Sequence, residues 1–230
     1  MQLTKKKGRI VGLLFLIIIT LGATSLNFRG LNSTLLASET ILLDVFEQAT
    51  QMRLAIVLNL IAGLMWLGIA IFLFPCIKHI SRSLAIWYVV LLVIQFGAAL
   101  MGDIGHLSLI NLSQQVQDIP VAEMTYYNTI GKVLVHEYFW GHFFSLMGYS
   151  SATFLLFIAF FRGKWVPRFI PVWGMAAMLF VFFASAVQLF DIKVSFWFYQ
   201  QNGIHFIFMT LWLLVLGFRT TTIERPSLNA

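Results

Sequence analysis

Charge is what this chain has least of. Only 10% of its 230 residues are Asp, Glu, Lys or Arg, while 60% are hydrophobic. Soluble domains carry about 25% charged and about 45–50% apolar residues. So much apolar surface excludes a soluble fold, and lipid must be the solvent. Cysteine is nearly absent: the lone Cys76 excludes an internal disulfide and carries no signal about compartment. No glycine-rich nucleotide loop occurs, so no transport could be driven by ATP bound to this chain itself. No HExxH pair occurs either, because His136-Glu137 is followed by His142 six residues on rather than four. Low-complexity tracts, clear internal repeats and an appended soluble domain are also missing, which predicts a single membrane domain over 1–230.

What the chain has in abundance is long apolar runs. Crossing about 30 Å of hydrocarbon takes roughly 20 helical residues at a 1.5 Å rise. Six runs qualify, near 10–26, 54–77, 84–110, 130–161, 167–190 and 196–218. In lipid, isolated strands would leave backbone groups unpaired, so these runs are helices. The expected fold is an all-α, polytopic membrane bundle of six transmembrane helices. A weaker rival makes the first run a signal peptide cut near Ala23-Thr24-Ser25, but the apolar stretch exceeds a usual signal core. Between the first two runs, Leu42, Val45, Phe46, Ala49 and Met52 recur at helical spacing. They predict either an interfacial helix or an outer extension of the second span.

The net charge is +6, and its placement says more than its size. Eleven of the 15 basic residues, from Lys5 and Lys6 to Arg219 and Arg225, fall on one side of the six runs. Eight of the nine acidic residues fall on the other. Lys and Arg are retained in short cytoplasmic loops, so the expectation is a multi-pass protein of the cell membrane with both termini cytoplasmic. Basic residues placed this way mark topology and give no reason to expect a nucleic-acid partner. The partner implied directly is the lipid bilayer. Asn32-Ser33-Thr34 and Asn111-Leu112-Ser113 match the glycosylation pattern, which in a bacterial protein is a chance match. Trp87, Tyr88, Trp197 and Tyr199 near the span ends suit an interfacial aromatic belt.

Three stretches carry a family resemblance. They are Arg9-Ile10-Val11-Gly12-Leu13-Leu14-Phe15-Leu16 after the basic start, Met52-Arg53-Leu54-Ala55-Ile56-Val57 at the second span, and Trp165-Val166-Pro167-Arg168-Phe169-Ile170-Pro171 at the fifth. Together they resemble a family of uncharacterised bacterial and archaeal multi-pass membrane proteins known only as a domain of unknown function. The likeness covers nearly the whole chain and implies the six-helix fold. It implies no activity and no functional residue. Pro171 departs from the family's pattern, where a small residue, usually Gly, is expected.

Counting from the basic ends places Asp103 and His106, His142 with Glu137 and His136, Gln188 with Asp191, and His205 all near the outer boundary. Ionisable groups at such depth face the bundle interior or an aqueous cavity. Gln95, Ala99, Gly102, Asp103 and His106 form one stripe on the third span. Glu137, Gly141, Ser145, Gly148 and Ala152 form another on the fourth, and small residues let such stripes pack face to face. Asp103, His106 and Glu137 are then expected to point inward.

Two chemistries follow. His106, Asp103, Glu137 and His205 are candidate ligands for a metal, zinc by donor type, and bound zinc could acidify water for an outward-facing metallohydrolase. Haem is less supported, since nothing beyond histidine favours it. The blander reading is that these groups hydrogen-bond across helices, as buried polar groups must. Gln95, His142, Ser145 and Gln188 are expected to line a polar cavity. Without a catalytic motif, the leading expectation is an uncharacterised membrane protein that binds or passes a small or lipidic ligand there. An accessory subunit of a membrane complex is a further alternative.

Overall fold

The computed structural model describes residues 3–31, 38, 40–120, 123–190 and 192–219. Among the described residues six helices follow in chain order: α1 (Lys5–Arg29), α2 (Ile41–Ile80), α3 (Arg82–Gln115), α4 (Met124–Gly163), α5 (Phe169–Gln188) and α6 (Trp197–Val215). No strand occurs among the described residues. The first five are long and apolar enough to cross a membrane. The first half of α6 carries Gln200, Gln201, Asn202 and His205, which lowers its hydropathy.

Local chemistry sets the helix ends. Thr4 Oγ1 accepts from Lys7 N at 3.3 Å and opens α1. Ser81 serves two helices at once. Its N–H donates to Ile77 O at 3.0 Å, closing α2, and its Oγ accepts from Leu84 N at 3.3 Å, opening α3. One residue therefore reverses the chain, and α2 and α3 must pack antiparallel.

Each helix packs on the next in sequence, and α1 closes onto α6, giving a ring that α2 and α4 also bridge. The pole carrying Lys5, Ser81 and Gly163 is the terminal pole, and the opposite one is the far pole. Interior aromatic rings fill the middle: Phe15 lies 5.2 Å from Trp66 and 4.9 Å from Phe206, and Trp66 lies 5.5 Å from Tyr149.

The second helix is continuous from Ile41, so the amphipathic segment ahead of the second span is its extension. Leu42, Val45, Ala49 and Met52 are buried there, while Phe46 is exposed. With Leu109 and Ile110 of α3 and Val135 of α4 they build a second, smaller core at the far pole. The belt expectation needs one correction. Trp87 and Trp197 are exposed, but Tyr88 is fully buried in the main core. Asn111-Leu112-Ser113 is helical, with Ser113 Oγ donating to Ile110 O at 2.7 Å. Asn32-Ser33-Thr34, Asp191 and Arg225 lie outside the described residues.

Candidate functional site

The two small-residue stripes do face each other. A Cβ built on Gly141 would lie 2.6 Å from the Gly102 backbone nitrogen, and one on Gly148 would lie 3.0 Å from Gln95 Cα. Only glycine permits that approach, which brings α3 and α4 into backbone contact. Gln95 Nε2 donates to Ser145 Oγ at 3.1 Å across the same seam.

At the far pole α1 ends on Arg29, and Gly30 at φ 62° turns the chain out of the helix. The Arg29 guanidinium crosses the ring. Its Nη2 donates to Asp103 Oδ1 at 2.6 Å, and its Nη1 lies 3.2 Å from His106 Nδ1. Asn59 of α2 donates to Asp103 Oδ2 at 2.8 Å. The ring of Tyr138 on α4 presents its face to Arg29, with Cζ 4.8 Å from the centroid. Four helices thus converge on one ion pair, and Arg29 and Asp103 are only 4% and 3% exposed. A guanidinium can only donate, so His106 Nδ1 is the acceptor and a neutral imidazole carries its proton on Nε2. That Nε2 is buried and finds no acceptor among the described residues.

Beside this network lies a cavity of about 180 Å³. Arg29, Asn59, Asp103, Tyr138, His142 and Ser145 supply its polar wall, and Gly22, Ala99 and Gly102 leave the space. A larger cleft of about 420 Å³ opens between the first turns of α2 and α4 at Thr40, Asn128 and Lys132. No buried ion pair lines it, so the smaller cavity is the candidate site.

The expected site residues divide. His142 and Ser145 line the cavity, and Gln95 reaches it through Ser145. Gln188 does not: its Nε2 donates to Tyr199 OH at 2.7 Å, at the α5–α6 corner. Asp103 and His106 are buried together, but Glu137 is exposed, its carboxylate lying beside Gly105. His205 is elsewhere altogether. Its Nε2 lies 2.8 Å from Ile170 O in the first turn of α5, at the terminal end of that helix, and its ring packs on Phe157 and Trp173.

Counting from the start of α6 did not bring His205 to the others, because eight residues in it already lies level with Ile170 and Gly174 at the start of α5. The corner before α6 exposes Phe190 (77%) and Phe196 (74%), side chains that belong in the apolar layer. The four metal candidates therefore do not converge. No three His, Cys, Asp or Glu side chains among the described residues are arranged to hold a metal ion. Sequence reasoning missed Arg29 as the centre of the site. Its signal was a lone cation at the end of the first span, on the side poor in Lys and Arg.

A polytopic helical membrane protein with a charged network at one pole is the class these features define. The family described as Domain of unknown function (DUF4386) matches residues 10–217, and the chain belongs to it. No curated protein and no solved structure matches the chain.

Proposed function

We propose that this protein binds a small or lipidic ligand in the polar cavity of the far pole without transforming it. The charge bias of the sequence sets that pole on the outer side of the cell membrane, with both termini cytoplasmic. The observation that carries the reading is the Arg29–Asp103 pair, almost fully buried and yet forming one wall of an unfilled space. Ionisable groups at this depth are functional by default, because burying them is expensive.

Binding is favoured over passage, because Phe15, Trp66, Tyr149 and Phe206 fill the interior on the terminal side of the cavity. A ligand that enters meets this aromatic packing instead of an open channel. Hydrolysis finds less support, since no third metal ligand accompanies Asp103 and His106 among the described residues. The cavity is smaller than the roughly 300–1,000 Å³ usual for drug-sized ligands, which suits a headgroup or a small metabolite.

The test is ligand retention. Protein purified in mild detergent is extracted and its bound small molecules identified by mass spectrometry, alongside an Ala99→Leu variant whose side chain fills the cavity. The wild type is expected to retain one species near stoichiometry, and the variant to lose it while melting at the same temperature. A wild type that carries nothing, or a filled variant that retains as much, overturns the proposal.

A further inference from the structure

The cavity is walled by α2, α3 and α4 and, on α1, by buried Ser25 and Arg29, but it has an open rim at Gly22 and Leu26 of α1. Leu26 lines the cavity and is 62% exposed. Gly22, one turn earlier, also lines it, and a Cβ built there meets nothing within 4 Å. Elsewhere on the same helix the situation is reversed. A Cβ on Gly12 would lie 2.8 Å from Leu214 N, and Phe15 stacks on Phe206, both on α6. The first helix therefore packs on α6 near the terminal pole and on α2 through Ser25, and leaves open space only in front of Gly22.

Depth decides what that gap faces. Gly22 is 17 residues beyond Lys5, or about 26 Å along the helix at 1.5 Å per residue, within the roughly 30 Å of hydrocarbon. The rim opens toward acyl chains and not toward water.

From this geometry we infer that the ligand is an amphiphile with a small uncharged headgroup, which reaches the cavity sideways from the bilayer past Gly22 and leaves its chain in the lipid. The inference rests on the cavity reading above and names its ligand class. Head chemistry follows from the wall. Asp103 already satisfies Arg29, so an anionic head would confront that carboxylate and a cationic head the guanidinium, in surroundings where like charges repel strongly. The remaining polar groups, Asn59, His142, Ser145 and Tyr138, are suited to hydroxyl and carbonyl groups. The cavity's volume of about 180 Å³, below the range usual for drug-sized ligands, favours a small head.

The experiment equilibrates the full chain in phosphatidylcholine nanodiscs doped equally with diacylglycerol and phosphatidylglycerol, then counts retained dopant by mass spectrometry. Three proteins are compared: wild type, Gly22→Leu, whose side chain occupies the gap, and Gly22→Ala, whose methyl leaves it open. Wild type and Gly22→Ala are expected to retain diacylglycerol about tenfold over phosphatidylglycerol, and Gly22→Leu to lose about tenfold, a difference of about 1.4 kcal/mol. Equal or preferential retention of phosphatidylglycerol overturns the inference, as does undiminished retention by Gly22→Leu with unchanged melting. If wild type and Gly22→Leu instead hold the same water-soluble molecule and Ala99→Leu loses it, lateral access fails and the cavity reading stands. If the wild type holds neither dopant nor any other molecule, both fall.

Discussion

At the terminal pole α1 is held mainly by shape, and at the far pole mainly by a buried ion pair. Near its start, Gly8 presses against the backbone of Gly217 and Phe218 just past α6, Gly12 presses against that of α6 itself, and Phe15 completes an aromatic layer. Near its end, Arg29 binds Asp103, His106 and the face of Tyr138. Apolar packing is the sum of many small contacts, none of which is indispensable. An ion pair out of water is different. Its net contribution is small while both partners stand, but removing one leaves a charge with nothing to offset its desolvation. The far pole is therefore the brittle end of the molecule, and it is also where the space lies.

That contrast can be broken most sharply at Asp103. Asp103→Ala leaves Arg29 buried and unpaired, and is expected to lower stability by about 3–5 kcal/mol. The paired replacement Arg29→Met with Asp103→Leu restores most of it but abolishes ligand retention. Thermal unfolding in detergent reads both, and a single variant no worse than the double would mean that the pair is not buried as described.

A smaller effect belongs to the terminal pole. Gly12→Val forces a branched side chain against Leu213 and Leu214, with an expected loss of about 1–3 kcal/mol from overpacking. Ligand retention per folded molecule should not change. Were it to fall as far as in the Asp103 variant, the two poles would not be separable. His205→Phe removes the bond to Ile170 O and is expected to cost about 1 kcal/mol, with neither retention nor metal content altered. A loss of bound zinc in this variant would revive the metal reading. The mildest change is Ser25→Ala. Ser25 Oγ donates to Ala55 O at 2.8 Å, and interhelical hydrogen bonds of this kind in membranes average about 0.6 kcal/mol. A shift several times larger in the unfolding curve would show that α1 depends on this bond more than on Arg29.

Much of the fold is legible in the residues. The six apolar runs correspond to the six helices, although α2, α3 and α4 extend beyond their apolar cores into a polar far-pole bundle. The stripes through Gly102 and Gly141 announce the α3–α4 seam, because glycine at helical spacing serves only close approach. The site was legible in part. Asp103, His106, His142 and Ser145 stand where helical phase and depth place them. Glu137 escapes to the surface because a stripe wider than the seam puts its edge outside. Gln188 and His205 were lost for another reason: counting residues compares levels only if every span begins at the same level, and Gln188 is tied to Tyr199 at the α5–α6 corner while His205 lies against Ile170.

Hydropathy belongs to each segment by itself, and so the sequence alone determined that this chain lives in lipid, that it is helical, and roughly where along the chain its helices lie. Partners across the ring are not local properties. Helical phase says which face a residue occupies but not which neighbour stands opposite, and a few degrees of tilt shift the meeting point by a full turn. That Arg29 finds Asp103 and His106, that Asn59 completes the carboxylate, and that a gap remains beside Gly22 were decided only when all six helices had packed.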